Sequence, residues 1–385
     1  MDFELSEEQL RIQETIRKFG KREIAPTEAQ YDRENRFPIE IYRKLGKLGM
    51  LGGVLPPEYG GAGMDYMTFT IMLEELGYFT LIIPALVGFM NTAAGRALVL
   101  YGTEDQKQKF LPALCRGEII ATFAVTEPQG GTDVSTMTTR CHRDGDHYVI
   151  NGSKTWISFV PFADFIVTFA RSTQIDSPKN YCAFIVDRNT PGLRFNVLSD
   201  KLSERAGEAS EIFFDDCRVP KENLIGKEGE GLRIALGGLD ENRLCFAARS
   251  VGALRWCLDE CVRYTQERVV FGKPIGTYQL IQSKITEMAT NVECGKALIY
   301  KLAWLKDRQN TTRLTKESSM TKLFTTNALM KGALEAVQIF GAYGCTNDNR
   351  VARLFRDAKM MQIAEGTNEI HTVLIAEYIL GYRTK

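Results

Sequence analysis

The sequence has no surplus of either charge: Lys plus Arg number 48 and Asp plus Glu number 48 over 385 residues. Binding to a polyanion is driven by basic excess, so this balance argues against nucleic acid as a partner. Long apolar runs are also missing. The longest, Phe79 to Met90, is too short to span a bilayer and is interrupted by Pro84 and Gly88. The opening MDFELSEEQL is acidic where a secretory leader would be basic and then apolar. No membrane span and a cytoplasmic location are therefore expected. Histidine is scarce, and His142, His147 and His371 have no Cys or His at ligand spacing, so no metal site is expected and each is read as a surface or packed residue. The nine cysteines form no CxxC pair, and reduced, mostly buried thiols are expected. Gly226, Gly229 and Gly231 have the wrong spacing for a dinucleotide turn and no βαβ unit around them. GxxxxGK[ST] and GxSxG are absent too.

What is present falls into three stretches, in keeping with the two or three domains that a chain of this length supports at about 150 residues each. Ser6 as N-cap with Gln9 three residues on opens a helix whose Ile12, Ile16 and Phe19 line one face. Helical patterns recur to about residue 117, with a second cap at Thr103 and Gln106. From about Glu118 the period shortens: ATFAV, TMTTRCH, HYVI, KTWIS, FIVTFA, YCAFIV and EIFF are rich in β-branched and aromatic residues. Asp144-Gly145 and Asn151-Gly152 read as hairpin turns between them. With no crossover helix, such strands indicate an antiparallel barrel or sandwich. After Gly231 helical spacing returns, with Leu254, Leu258, Ile285, Leu302, Leu329 and Ile339 among the residues spaced for a bundle core.

Three segments could carry chemistry. In Thr126-Glu127-Pro128-Gln129-Gly130-Gly131-Thr132-Asp133 paired glycines leave backbone N–H groups open beside two hydroxyl donors. In Lys154-Thr155-Trp156-Ile157-Ser158 the alternation of a strand puts an indole and a hydroxyl on one side, where Trp156 could stack on a flat ring, although a core Trp is the commoner role. Near the C-terminus, Glu365 follows Met360, Met361, Ile363 and Ala364, an apolar setting that would raise its pKa towards that of a useful base.

Taken together, FAVTEPQGGTD (Phe123 to Asp133), NGSKTWIS (Asn151 to Ser158), QERVVFGKPIGTYQLIQ (Gln266 to Gln282), QIFGAYG (Gln338 to Gly344) and RDAKMMQIAEGTNEI (Arg356 to Ile370) resemble the acyl-CoA dehydrogenase family of flavoenzymes. The resemblance covers nearly the whole chain. It implies an α+β multidomain fold: an N-terminal α-helical domain (1–117), a central antiparallel β-barrel (118–232) and a C-terminal four-helix bundle (233–385). It also implies FAD between the last two. Phe123, Val125 and Thr126 would run along the isoalloxazine with Trp156 and Ser158 opposite, and Thr132 would lie near the pyrophosphate and the pantetheine of the substrate. Arg268, Phe271, Gln279, Gln338 and Gly341 match contacts to the FAD of a neighbouring subunit, which implies a homo-oligomer, usually a tetramer. Thr367, Asn368 and Glu369 match flavin contacts after the catalytic carboxylate, and Asp240 to Arg243 match the helix that meets CoA. Glu365 matches the general base, flanked on the substrate side by Ala364 and Gly366. The activity implied is α,β-dehydrogenation of an acyl-CoA thioester, with electrons passed on to an electron-transferring flavoprotein.

The chain departs from the family pattern at Ala364, where Tyr is common, at Ala342, where a second glycine is frequent, and at Thr132, where Ser is usual. Relatives that carry the base on the central helix have an acid where this chain has Asn242, which leaves Glu365 as the candidate. Relatives that oxidise dicarboxylic thioesters place an Arg where ungapped comparison puts Pro84, and no charge lies between Glu75 and Arg96. A neutral acyl group is therefore expected, and the space at Ala364 favours a branched or cyclic one. An enoyl-CoA reductase, an acyl-CoA oxidase or a non-catalytic FAD-binding relative would share these residues.

Overall fold

The computed structural model describes residues 4–309 and 313–383. Helices come first: α1 (Glu7–Phe19), α2 (Glu28–Glu34), α3 (Ile39–Lys47), α4 (Tyr66–Phe79), α5 (Ile82–Gly88), α6 (Arg96–Tyr101) and α7 (Glu104–Arg116). Strands follow: β1 (Ala121–Ala124), β2 (Arg140–Asp144), β3 (His147–Ser158), β4 (Phe165–Ser172), β5 (Tyr181–Asp187), β6 (Leu193–Leu198), β7 (Ala209–Pro220) and β8 (Leu224–Ile225). Last come α8 (Gly231–Glu267), a small hairpin of β9 (Val269–Val270) and β10 (Lys273–Pro274), then α9 (Gln279–Gln309), α10 (Thr315–Phe340), α11 (Arg350–Met361) and α12 (Asn368–Ile379).

Local chemistry sets the helix starts. Ser6 and Gln9 form a complete capping box on α1, and Thr103 and Gln106 form another on α7. Pro84 does not interrupt its apolar run. It lies in the first turn of α5, where an N–H would have no helical partner, and the chain stays helical from Ile82 to Tyr101 through a π-helical stretch at Phe89–Gly95. By length and composition this 20-residue run could cross a membrane, but 83% of its most apolar window is buried inside the fold. Gly88 lets it approach α8: a Cβ there would lie 2.9 Å from Cys245 Cβ and 3.0 Å from Asn242 Oδ1.

The strands do not close into the expected antiparallel barrel. They form one open sheet in the order β6-β7-β3-β2-β4-β5-β8, with β1 beside β4. One edge of β4 takes two parallel neighbours in turn, β1 along Phe165–Thr168 and then β2 at Arg171–Ser172, while β5 pairs antiparallel on the other edge. Closure would need β6 to meet β8, and β8 is only two residues long. Asp144-Gly145 does turn β2 into β3. Asn151-Gly152 does not turn the chain. It lies inside β3 at a register shift between Ile150 and Gly152, and a Cβ on Gly152 would sit 2.7 Å from Thr139 Cα.

In the C-terminal part α8, α9 and α10 pack on one another, and the shorter α11 and α12 share the remaining side against α10. Helix α4 packs on α8 from the N-terminal part, and one continuous core runs from α1 through α4, α5 and β1 into α8. The candidate site lies around this junction.

Candidate functional site

Glu365 sits in the turn between α11 and α12 with φ 59°, and Gly366 follows at φ 92°. A left-handed glutamate costs on the order of 1 kcal/mol and persists only where its surroundings hold it. Here they do. Arg243 Nε of α8 donates to the Glu365 carbonyl at 3.3 Å, and Lys322 Nζ of α10 donates to the Gly366 carbonyl at 2.8 Å and to Asn368 Oδ1 at 2.9 Å. His371 Nε2 lies 3.2 Å from the Glu365 carbonyl, which can only accept, so Nε2 carries the proton. His371 is neutral, since burial and the Arg243 and Lys322 charges push its pKa down to about 3.

The turn leaves the Glu365 side chain free. Oε2 is shut off from solvent and has no hydrogen-bond partner among the described residues. Burial raises the carboxyl pKa above its ordinary value, while Asn242, Arg243, Arg249 and Lys322 work against that rise. Of the apolar residues adjacent in sequence, Met361 is buried and Ile363 is 48% exposed. The groups around the carboxylate are polar and belong largely to α8. The Glu365 N–H is likewise unpaired among the described residues.

On α8, Asp240 and Arg243 form a buried ion pair, and Asp240 also takes Thr315 Oγ1 at 2.5 Å and Arg313 Nε at 2.6 Å. Asn242 Oδ1 accepts from Thr92 Oγ1 at 3.1 Å. Arg96, which closes the uncharged stretch of the wall, faces Glu241 Oε2 at 3.4 Å, and Tyr66 OH donates to the same oxygen at 3.1 Å. Ala364 is half-buried beside the base.

The sheet contributes a second wall. Phe123 and Val125 are buried, and the Phe123 ring meets Phe169 edge-on at 4.9 Å, so these side chains belong to the core and only their main chain is left for a ligand. Thr126 and Ser158 are half-buried and Thr132 is exposed. Trp156 does not follow simple alternation. It is left-handed at φ 58° in a second register shift, between Lys154 and Ile157, and its ring is 56% exposed. Beneath it lies a pair that sequence reasoning missed. Lys154 Nζ, fully buried, reaches Glu127 Oε1 at 2.8 Å and the Val125 carbonyl at 3.3 Å. Burial works to raise Glu127, but Lys154 and the Thr138 and Thr139 donors outweigh it and hold the carboxyl at about 2. Both residues lie in segments singled out from the sequence, but the polar stretches around them do not mark the two charges as partners. The glycine loop folds back on itself, Glu127 and Gly130 exchanging backbone bonds at 3.1 and 3.0 Å, and a Cβ on Gly131 would meet Thr126 Cγ2 at 3.2 Å.

Arg268, Phe271, Gln279, Gln338 and Gly341 gather elsewhere. All five are exposed, Phe271 to 91%, at an end of the bundle where Tyr264 stacks on Phe340 at 4.0 Å. Along α10, Gln338 lies about 24 Å from Lys322 at 1.5 Å per residue, so this group is remote from Glu365. Thr367 caps α12 through the Ile370 N–H, and Glu369 is exposed. The Asn368 side chain is already committed to Lys322, Thr326 and Asn327.

Comparison with known proteins bears on the family and the fold. The acyl-CoA dehydrogenase N-terminal, middle and C-terminal domain models match residues 6–118, 122–217 and 229–380. An acyl-CoA dehydrogenase of Bacillus subtilis (strain 168) is 36% identical over 98% of this chain and 99% of its own. A glutaryl-coenzyme A dehydrogenase solved with glutaryl-CoA superposes at a TM-score of 0.97 with 38% identity, covering 100% of this chain and 98% of that one. A chain from a structure of the electron transferring flavoprotein of Acidaminococcus fermentans superposes at 0.95 with 35% identity, over 99% and 100% of the two chains.

The chain belongs to the acyl-CoA dehydrogenase family. Its members are FAD-dependent flavoprotein oxidoreductases, and this chain is one of them. The residues present fit a flavin: an exposed indole on a bulged strand, hydroxyl donors at Thr126, Thr132 and Ser158, and a glycine loop in which a Cβ would crowd Thr136 or Thr126.

Proposed function

We propose that this protein dehydrogenates an acyl-CoA thioester between its α and β carbons, with Glu365 taking the α-proton. The observation that carries the reading is the Glu365 carboxylate: buried, unpartnered at Oε2, and fixed in a left-handed turn by Arg243, Lys322 and His371. Its raised pKa strengthens it as a base once ionised, and the surrounding cations keep the ionised form accessible. The unpaired Glu365 N–H is a ready donor to the thioester carbonyl, where negative charge develops as the proton leaves. When bound, FAD supplies the acceptor for the β-hydrogen, which leaves as hydride. Trp156, Ser158, Thr126, Thr132, Thr367 and Glu369, with the main chain of Phe123, Val125 and Asn368, hold it.

Asp240, Arg243 and Thr132 meet the CoA portion. The acyl group is neutral and branched or cyclic. The wall from residue 76 to 95 carries no charge, Arg96 beyond it is answered by Glu241, and the small side chain of Ala364 precedes the base. Arg268, Phe271, Gln279, Gln338 and Gly341 serve the flavin of a second copy, which makes the protein a homo-oligomer, a tetramer by family habit. The exposure of Phe271 and the distance along α10 support this. Electrons pass to an electron-transferring flavoprotein in the cytoplasm. The segments 1–117, 118–232 and 233–385 act as pocket wall, flavin platform and base-bearing bundle.

Anaerobic mixing of the oxidised protein with acyl-CoA thioesters, read as bleaching of flavin absorbance, tests the reading. Glu365→Gln should bind the thioester and bleach slower by roughly three orders of magnitude, within the ~10²–10⁴ of general-base loss. A variant that keeps near-parental rates would place the base elsewhere.

A further inference from the structure

Lys322 is fully buried on α10, yet its side chain has no carboxylate partner among the described residues. Taking an ammonium out of water without a counter-charge is costly, and an apolar side chain of similar length would fill the same space at less cost. Stability therefore does not account for a lysine here. Its bonds all go to neutral oxygens, and they join two places. Nζ donates to the Gly366 carbonyl at 2.8 Å, in the turn that carries Glu365, and to Asn368 Oδ1 at 2.9 Å, on the first residue of α12. The Asn368 N–H closes the same turn onto the Gln362 carbonyl at 3.0 Å. The Asn368 side chain also donates to Thr326 Oγ1 at 3.1 Å and to Asn327 Oδ1 at 2.9 Å. Lys322, Thr326 and Asn327, at i, i+4 and i+5, thus present one row of polar groups to the start of α12. Of the three, Lys322 alone reaches the Gly366 carbonyl.

The two ends of this tether have different tasks in the proposed reaction. Glu365 takes the α-proton, while Thr367, Asn368 and Glu369 contact the flavin that receives the β-hydrogen. Between them the chain passes through Glu365 at φ 59° and Gly366 at φ 92°, a stretch whose shape has to be held from outside. We propose that Lys322 is a positioning residue that bolts the base to the flavin-contacting end of α12: one side chain, bound to both Gly366 and Asn368, fixes the reach of Glu365 relative to the flavin. The inference rests on Glu365 being the base. An ammonium suits the task, because its three donors can serve two acceptors at once and bonds from a charged donor are about twice as strong as neutral ones. Burial lowers its pKa to about 7 against the pull of Glu365 and Glu369, with Arg243 adding to the fall. Variants are therefore compared at about pH 6, where the ammonium form prevails.

Lys322→Met should slow flavin reduction by an acyl-CoA about tenfold to a hundredfold, the scale of a reacting group misplaced by on the order of 1 Å, with the dissociation constant of the thioester kept within about threefold. Amide hydrogen exchange across 362–371, followed by mass spectrometry without thioester, should quicken about tenfold or more, since a charge-assisted bond that closes the turn is gone. Thr326→Val takes a bond from Asn368 but leaves the Gly366 carbonyl held, and should keep the reduction rate within about threefold. Adding Asn368→Leu to Lys322→Met should lower the rate little further, because both cut the same tether. Exchange in the turn does not depend on turnover, whereas Glu365→Gln reads the base alone, so failure of the tether and failure of Glu365 as the base are distinguishable. Parental exchange in Lys322→Met, or a Thr326→Val protein as slow as Lys322→Met, would overturn the proposal. If Lys322→Met does not accumulate folded, Asn368→Leu decides: it frees the other end of the tether, and parental exchange and rate there would overturn the proposal equally.

Discussion

Replacing Lys154 by methionine removes one half of a charge pair that sits wholly inside the sheet. The two side chains are 0% and 2% exposed, and Lys154 and Glu127 tie β3 to the loop after β1. In Lys154→Met the carboxylate keeps only neutral donors, the N–H groups of Thr138 at 2.6 Å and Thr139 at 3.1 Å, Thr138 Oγ1 at 2.8 Å and Gln129 Nε2 at 2.5 Å. Breaking a buried pair in this way costs about 3–5 kcal/mol. Glu127→Gln strands the ammonium instead. Burial already lowers Lys154 to about 8 with its partner present, and without Glu127 it falls further and becomes neutral. Giving up that proton at pH 7 costs about 1.36 × 3.5 ≈ 5 kcal/mol against an ordinary lysine, which bounds the damage. Removing both charges costs less than the sum of the single losses. Thermal unfolding followed by release of flavin fluorescence should show each single variant melting about 6–20 °C below the parent, at about 2–4 °C per kcal/mol. The gap between parent and Glu127→Gln should also close in acid. The folded carboxyl is held at about 2 against 4.5, so its contribution is complete above about pH 4.5 and is lost as pH falls through 2. A Lys154→Met protein melting within about 2 °C of the parent, or a double variant as damaged as the two singles added, would refute the reasoning.

The purified protein should be yellow, with about one FAD per chain released intact on denaturation, because no His or Cys lies among the proposed flavin residues to form a covalent link. Arg268→Ala or Gln279→Ala should lower FAD retention and assembly together, since a ligand held by the assembled form stabilises it by mass action. Size-exclusion with and without added FAD measures this, and loss of FAD from a parent shown to be monomeric would contradict a shared site. Ala364→Tyr fills the space beside the base. The kcat/KM for cyclohexanecarbonyl-CoA should then drop at least about fivefold relative to butyryl-CoA, the cost of overpacking by about 1–3 kcal/mol, and equal losses on both would leave the branched or cyclic acyl group without support.

The helical parts were legible because their signals are local. A capping box needs four residues in a row, and those at Ser6 and Thr103 stand as the sequence has them. The strands were legible as elements and less so as a sheet. Asn151-Gly152 has the composition of a turn, but its glycine answers to Thr139 on the neighbouring strand, a partner that no local window contains. β6 went unseen although LRFNVL alternates apolar and polar residues; it lies along an edge of the sheet, where none of its residues is fully buried. Closure into a barrel depends on which strands end up at the edges, and the shortness of β8 decides that only once the order of the sheet is known. Pro84 was misread as a break because the same residue that ends a helix interior is harmless in a first turn, and the start at Ile82 follows a capping position, Leu81, with no polar side chain to announce it.

At the site, the residue types were legible and the reasons they work were not. Glu365 stood out from its sequence neighbours as a carboxylate in apolar company, and burial does raise its pKa, but the polar groups of α8 and α10 that oppose the rise are far away in sequence. His371, read as a surface or packed residue, is packed, and the packing puts its Nε2 against the carbonyl of the base. A left-handed glutamate, a left-handed tryptophan and a cation buried beside the base all break local preference. Such strain cannot be read from propensity, because what sustains it is long-range: Arg243 and Glu365 are 122 positions apart, Lys322 and Gly366 44 apart, Lys154 and Glu127 27 apart. The positions where the sequence was hardest to read are thus those where distant elements hold a side chain in a conformation it would not choose alone, which is also what a base waiting for its substrate requires.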